Sequence, residues 1–228
     1  MEAKLLPPKD PKMKDKKTLV IDIEGTLIFS LATDMDTLKK KRSQYDYTLE
    51  ILNSEDIKIG LGVKMRPSLT LFLQELGKIC EIIFWTAGKK SIYQKILDII
   101  DPTGVASHRL FKEYCKHTKF GWHKNLNLLN RDPGTVILIE CYSISRDFYP
   151  YNTIEIPEFL GDKKDTYLKK LIYMLKYICN KDDIRPVEYW KHMYHICSCF
   201  FVVISGKDFY NFPIDMLDSL LCLNFLIE

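Results

Sequence analysis

The sequence has no large excess of charge of either sign, because 33 lysine and arginine residues stand against 30 acidic ones in 228 residues. A net charge of +3 is too small to indicate a nucleic-acid-binding protein, so we expect no direct contact with nucleic acid. Long hydrophobic runs are missing as well. The longest apolar stretches, residues 200–204 and 220–227, are far shorter than the roughly 20 residues of a membrane-spanning helix, which predicts no membrane segment.

Cysteines at metal-ligand spacing and a targeting signal are also missing. The seven cysteines are odd in number and follow no secretory leader, which favours a reducing compartment. The first residues have neither an apolar leader core nor the acid-poor character of a mitochondrial transit peptide. We therefore predict a soluble protein of the nucleus or cytoplasm rather than of mitochondria. The basic run at residues 39–42 is either a solvated loop or a nuclear-import signal.

Apolar residues make up 46% of the chain, which is enough to bury a sizeable core. Its length suits one domain of ordinary size. We divide the chain into a flexible basic arm (residues 1–16), a single domain (residues 17–187) and a C-terminal extension (residues 188–228) whose structure the sequence leaves open.

Hydrophobic periodicity predicts strands that alternate with helices along the domain. The predicted strands are TLVID (18–22), EIIFWT (81–86), TVILIE (135–140) and TIEI (153–156). Four helices are predicted: one that begins at Pro67, and three at residues 91–100, 124–130 and 165–180. A β-hairpin formed by YDYTLEIL and IKIGLGVKM is inserted after the first strand. This alternation predicts an α/β fold, a three-layer sandwich in which helices cover both faces of a mostly parallel sheet.

Three of these strands end in polar side chains, Asp22, Thr86 and Glu140. Ligands of such sheets bind just outside the carboxyl ends of the strands. A solvated turn would not bring two acids and a hydroxyl to that one place. The pattern therefore predicts a shared functional site at this edge of the sheet.

Several ordered motifs resemble the haloacid dehalogenase superfamily, and more closely the small phosphatases of the RNA polymerase II C-terminal domain and their Dullard-type relatives (the FCP homology family). The stretch Asp22-Ile-Glu-Gly-Thr26 stands where that family has Asp-x-Asp-x-Thr. Residues 63–87 resemble its Arg-Pro helix and the strand end that follows, and residues 109–132 match the segment that holds its motif lysine, at Lys124. The resemblance covers residues 5 to 187.

The resemblance implies a Rossmannoid fold without a large cap and a phosphatase that acts on phosphoserine or phosphothreonine in proteins. Asp22 would be the nucleophile, forming a phospho-aspartate intermediate, and Glu24 would stand at the position of the acid that protonates the leaving alcohol. Thr86 and Lys124 would hold the phosphoryl oxygens. Thr26 would brace the loop.

The same resemblance implies Mg²⁺ as cofactor, held by Asp22, the backbone carbonyl of Glu24, Glu140 and Cys141. Arg66 is predicted to form a salt bridge at a helix entry rather than to take part in the chemistry.

The sequence departs from the family pattern at two places, and both would take part in the reaction or in metal binding. Glu24 replaces an aspartate with a side chain one methylene longer, and Glu140-Cys141 replaces an Asp-Asn pair. A displacement of about 1 Å can cost on the order of 100-fold in rate, and sulfur is a poor ligand for Mg²⁺. We therefore predict impaired activity. The alternative is an inactive relative that serves as a binding or adaptor protein, including a role like that of a mitochondrial import receptor.

Overall fold

The structure is a computed structural model that describes residues 3–53 and 55–184. The chain divides into a unit of residues 1–187 and a second of residues 188–228, and the predicted C-terminal extension lies outside the described residues. No helix in the described part of the chain is long and apolar enough to cross a membrane.

The described residues alternate between strands and helices, as predicted. The strands are β1 (Lys17–Ile21), β2 (Ile28–Thr33), β3 (Tyr47–Leu52), β4 (Lys58–Met65), β5 (Cys80–Trp85), β6 (His108–Leu110), β7 (Lys116–Thr118), β8 (Gly121–His123), β9 (Val136–Glu140) and β10 (Thr153–Glu155). The α-helices are α1 (Met35–Lys40), α2 (Leu69–Ile79), α3 (Lys90–Ile100), α4 (Ser143–Phe148) and α5 (Tyr167–Ile178).

The central sheet has the order β10-β9-β1-β5-β6, and all of its strands are parallel. Every residue of β1, β5 and β9 is buried, which requires cover on both faces of the sheet. The α/β fold with a parallel sheet is therefore confirmed. Helices α2 and α5 pack against each other and bury the apolar stripes that their sequences predict.

The insertion after β1 is larger than the predicted hairpin. Strands β3 and β4 form that hairpin, but β2 adds a third antiparallel strand with the order β2-β4-β3, and α1 follows it. Only Ile28 of β2 and Leu38 of α1 are buried, so neither element carries a strong apolar pattern. The sequence analysis predicted only the hairpin in this insertion and missed both elements for that reason.

Two other predictions need correction. The helix expected at residues 124–130 is a 3₁₀ turn at Leu126–Leu128, which the side chain of Asn125 caps by accepting a hydrogen bond from the Asn127 N–H. Part of the segment expected to be a flexible arm is packed. Leu6 is buried in the core, and the Leu5 N–H donates to the Leu128 carbonyl.

Candidate active site

Three neighbouring strands place the predicted polar residues at one edge of the sheet. Asp22 directly follows β1, Thr86 directly follows β5, and Glu140 is the last residue of β9. Ile21 of β1 is in register with Phe84 of β5 and with Ile139 of β9, so the three strand ends are level. The register explains why side chains from distant parts of the sequence meet.

Lys124 connects two of these strand ends. It directly follows β8, and its Nζ lies 3.0 Å from Asp22 Oδ1 and also contacts Glu140 Oε1. All three side chains are buried, with residue exposures of 3–4%. One ammonium between two carboxylates leaves a net negative charge, which a further cation would offset.

Burial and charge act against each other in this group. Burial raises the pKa of Asp22 to about 6, while the Lys124 ammonium opposes the rise. Burial would lower the pKa of Lys124, but Asp22 and Glu140 outweigh it and raise that pKa above its usual value. Lys124 is therefore a permanent cation at neutral pH, beside an aspartate that is mostly ionised.

A cavity of about 360 Å³ opens over these residues. Five of the six predicted site residues line it: Asp22, Glu24, Thr86, Lys124 and Glu140. Cys141 does not line it. Trp122 also lines the cavity. So do four residues that the sequence analysis did not single out: Ala87, Gly88, Tyr93 and Tyr142.

Thr86 has its hydroxyl oriented by the loop that follows it. Its Oγ1 accepts a hydrogen bond from the Gly88 N–H at 3.0 Å, and its own N–H donates to the Leu110 carbonyl. The hydroxyl hydrogen then remains available to donate into the cavity. This arrangement suits a group that holds an anionic oxygen.

Glu24 turns its carboxylate towards the insertion and α3. Its Oε1 accepts from the Ser30 N–H at 2.8 Å, and its Oε2 accepts from the Ser30 hydroxyl at 2.8 Å and the Tyr93 hydroxyl at 3.1 Å. Burial raises the pKa of Glu24, whereas these three donors favour its ionised form. The longer side chain therefore reaches partners on β2 and α3 in addition to lining the cavity.

Cys141 makes contact with the loop after β1. Its Sγ donates to the Glu24 carbonyl oxygen at 3.4 Å, and burial raises the pKa of its thiol to about 12, so the thiol is neutral. A Cβ added to Gly25 would come 2.7 Å from this sulfur, and Gly25 has a φ of +71°. The loop needs glycine there for both reasons. Nearby, the Thr26 hydroxyl donates to Asp22 Oδ2 at 3.3 Å.

The donor atoms present fit Mg²⁺ in part. Glu140 Oε2 is buried and has no hydrogen-bond partner among the described residues, which is the condition of an oxygen that a cation would satisfy. Asp22 and the Glu24 carbonyl add further hard oxygens. The neutral thiol of Cys141 does not fit, and residues 3–53 and 55–184 contain no group of three or more His, Cys, Asp or Glu side chains that could hold a metal.

Arg66 is not among the residues that line this cavity, and it contacts the loop that follows β1. It forms two hydrogen bonds with the Asp165 carboxylate, at 3.0 and 2.8 Å, and donates to the carbonyl oxygens of Thr26 and Pro157. The expected salt bridge is confirmed, and its partner, Asp165, stands two residues before the start of α5.

Comparison with known families decides the identity of the domain. The model of the NLI interacting factor-like phosphatases matches residues 17–185, which is most of the chain. The chain belongs to this family.

Curated relatives of this NLI interacting factor-like chain carry two kinds of name. Phosphatase PSR1 of Saccharomyces cerevisiae is 31% identical over 75% of this chain, and CTD small phosphatase-like protein 3 of Caenorhabditis elegans is 32% identical over 78%. The mitochondrial import inner membrane translocase subunit tim50 of Aspergillus fumigatus is 30% identical over 81%. The matches cover 38%, 60% and 32% of those relatives, so the chain spans only part of their length.

A solved structure supports the fold assignment. The RNA polymerase II CTD phosphatase Fcp1 superposes with a TM-score of 0.60 over 82% of this chain and 66% of that one, at 18% identity. At this identity the likeness establishes the haloacid dehalogenase-like fold. The chemistry of this NLI interacting factor-like domain depends on its own residues.

Proposed function

We propose that this chain is a metal-dependent phosphatase of phosphoserine or phosphothreonine in proteins, with impaired turnover, and that Asp22 is its nucleophile. The observation that carries the proposal is the 3.0 Å contact between Lys124 Nζ and Asp22 Oδ1, beside Thr86 in one cavity. A buried lysine beside a carboxylate can hold the phosphoryl oxygens of a monoester close to the attacking oxygen.

In the proposed reaction, an Asp22 oxygen attacks phosphorus, and the bond to the serine or threonine oxygen breaks. Glu24 gives its proton to the departing alcohol and then accepts one from the water that hydrolyses the phospho-aspartate. Lys124 and the Thr86 hydroxyl steady the charge on the phosphoryl oxygens. Thr26 keeps Asp22 in place through its hydrogen bond.

Mg²⁺ would be held by Asp22, Glu140 and the backbone carbonyl of Glu24. When bound it supplies positive charge that reduces the repulsion between an anionic nucleophile and an anionic substrate. The contact of the Cys141 thiol with that same carbonyl supports weakened metal binding, because it engages an oxygen that the ion would need.

The orientation of Glu24 supports the proposal of slow turnover. To protonate a leaving group, its carboxyl must give up hydrogen bonds from Ser30 or Tyr93, which favour its ionised form. The catalytic acid is therefore the weakest part of the proposed machinery.

The mouth of the cavity supports a protein substrate. Trp122 and Tyr142 line the cavity and are 40% and 49% exposed, so the cavity is open to solvent where these residues lie, as entry of a side chain from another protein requires. The relatives named CTD small phosphatase-like agree with this substrate class. For the compartment we propose the nucleus or cytoplasm, and the run at residues 39–42 is exposed, as an import signal must be.

A second candidate function is an inactive phosphatase-like binding protein. The engaged carboxylate of Glu24 and the thiol of Cys141 favour it, and the translocase subunit tim50 among the relatives is named for a role other than phosphatase. In this alternative the same cavity binds a protein partner without turnover.

One assay separates the two candidates. Hydrolysis of a phosphoserine peptide is measured with and without Mg²⁺ for the parent, for Asp22→Asn and for the double variant Glu24→Asp with Cys141→Asn. The proposal expects slow hydrolysis by the parent, none by Asp22→Asn and faster hydrolysis by the double variant.

The other outcomes are equally informative. No hydrolysis by the parent together with activity in the double variant would identify a disabled descendant and favour the binding protein. Activity that survives Asp22→Asn would rule out Asp22 as the nucleophile. Circular dichroism and unfolding curves for each variant show whether a loss of activity reflects a loss of folding.

A further inference from the structure

Two cysteines lie in contact at the edge of the sheet opposite the candidate active site. Cys80 is the first residue of β5, and Cys179 caps the C-terminal end of α5. Their sulfur atoms are 3.2 Å apart although the residues are separated by 99 positions in sequence. Neither is part of a disulfide in this structure.

We propose that Cys80 and Cys179 are an oxidation site, a dithiol that hydrogen peroxide converts to a disulfide linking β5 to α5. The sulfur atoms need only approach from 3.2 Å to about 2.05 Å. Cys179 lies just beyond the last residue of α5, where a small backbone adjustment is least costly. This proposal is independent of the proposed phosphatase function.

The two thiols differ in a way that suits the chemistry. The hydrogen bond between the two thiols lowers the pKa of Cys179, and the charge of Lys17 acts in the same direction. The hydrogen bond with Cys179, together with burial, raises the pKa of Cys80. Cys179 is half-buried, whereas Cys80 is only 1% exposed. Because Cys179 is the more exposed of the two and its pKa is the lowered one, we assign it as the thiol that meets the oxidant and Cys80 as the thiol that resolves the product.

The reaction balances with peroxide as the only oxidant. The Cys179 thiolate attacks one peroxide oxygen, the O–O bond breaks, and hydroxide leaves and takes up a proton to become water. The Cys80 sulfur then attacks the resulting sulfenic acid, the S–S bond forms, and the S–O bond breaks. The second water carries the proton from Cys80. The two thiols lose two electrons in total, and one peroxide becomes two waters.

The cross-link would act on stability. It closes a loop of almost 100 residues, and such a bond restricts the unfolded chain more than the folded one. Cys80 lies at the amino end of β5, and the full length of that strand, roughly 20 Å, separates it from Thr86 at the other end. We therefore expect a higher melting temperature rather than a direct change at the cavity.

The test uses the full chain. The reduced protein is treated with hydrogen peroxide, free thiols are blocked by alkylation, and peptides are mapped by mass spectrometry without reduction. We expect a peptide pair that joins Cys80 to Cys179, lighter than the two free peptides by two hydrogen atoms. We also expect a melting temperature several degrees above that of the reduced protein, which returns to the reduced value with dithiothreitol.

Variants make the assignment specific. Cys179→Ser should abolish both the linked peptide and the thermal shift, whereas Cys115→Ser, a half-buried cysteine elsewhere in the domain, should retain both. The proposal is overturned if Cys80 and Cys179 are still free thiols after peroxide treatment and are therefore found alkylated. It is also overturned if either is found joined to a different cysteine. The mapping of the parent decides the question even if a variant fails to fold.

Discussion

The ammonium of Lys124 lies 3.0 Å from Asp22 Oδ1 in a buried site, where it also contacts Glu140. These residues come from three separate segments: the ends of β1 and β9 and the residue after β8. A lysine buried between two carboxylates stabilises their charges in the free protein. The same lysine is placed to meet a phosphoryl group beside Asp22.

Replacing Lys124 with methionine tests both roles. Lys124→Met keeps the length of the side chain and removes its charge. We expect kcat/KM on a phosphoserine peptide to fall by about 100-fold or more. We also expect the free energy of unfolding to fall by about 3–5 kcal/mol, because two buried carboxylates lose their counter-ion. Steady-state kinetics and urea unfolding measure the two effects.

The matched control for this variant is Lys58→Met, at an exposed lysine of the insertion. It should change neither quantity appreciably. If Lys124→Met behaved like this control in the parent and also in the more active Glu24→Asp, Cys141→Asn background, Lys124 would have no part in the reaction.

Shortening Glu24 tests the proposed cause of slow turnover. In Glu24→Asp the carboxyl can no longer span the distance to Ser30 and Tyr93, so it becomes free to meet the leaving group. We expect kcat to rise by about 10- to 100-fold, the range associated with correcting a misplacement of about 1 Å. The control Glu24→Gln keeps the length but cannot transfer a proton, and its activity should fall below that of the parent. Equal activity of the two variants would exclude Glu24 as the acid.

The fold was predictable wherever burial imposes a pattern on the sequence. Strands β1, β5 and β9 are buried along their whole length, and each contains an unbroken apolar run: LVI, IIFW and VILI. The short strand β6 and the half-exposed strand β2 carry no such run, since only a few of their residues face the core. β6 pairs with β5, and β2 pairs with β4. Both partners are distant in sequence, so local sequence does not reveal the pairing on which the strand conformation depends.

The site was predictable at the strand ends and less so elsewhere. Asp22, Thr86 and Glu140 follow from the geometry of a parallel sheet, whereas Lys124 was located by resemblance. Tyr93 comes from the first turn of α3, and nothing in its local sequence distinguishes it from a packing residue. Its hydroxyl donates to the Glu24 carboxylate across a separation of 69 positions in sequence, a contact that local sequence does not reveal.

Replacing Cys141 with asparagine tests the weakened metal site. An amide would offer an oxygen to Mg²⁺ in place of a neutral sulfur that contacts the Glu24 carbonyl. We expect the Mg²⁺ concentration that gives half-maximal activity to fall by about 10-fold or more, the scale on which residues around a metal ligand act. Calorimetric titration with Mg²⁺ should show the same change without any assay of activity.

The control for the metal site is Cys141→Ser. Its hydroxyl can still donate to the Glu24 carbonyl, so Mg²⁺ affinity should stay close to that of the parent. An equal gain in affinity from serine and asparagine would show that any oxygen at this position is sufficient and that the amide has no special role. No gain from either would show that Cys141 lies outside the metal site.

Arg66 should matter for stability rather than for chemistry. It is 1% exposed, and its guanidinium makes four hydrogen bonds, two to Asp165 and one each to the carbonyl oxygens of Thr26 and Pro157. Arg66→Leu removes all of them and leaves the carbonyl of Thr26 unpaired, so we expect the free energy of unfolding to fall by about 3–5 kcal/mol. Lys78→Met, which breaks an ion pair on the exposed surface, should cost little. Urea unfolding of both variants measures the difference, and a folded Arg66→Leu with parental stability but no activity would instead assign Arg66 to the reaction.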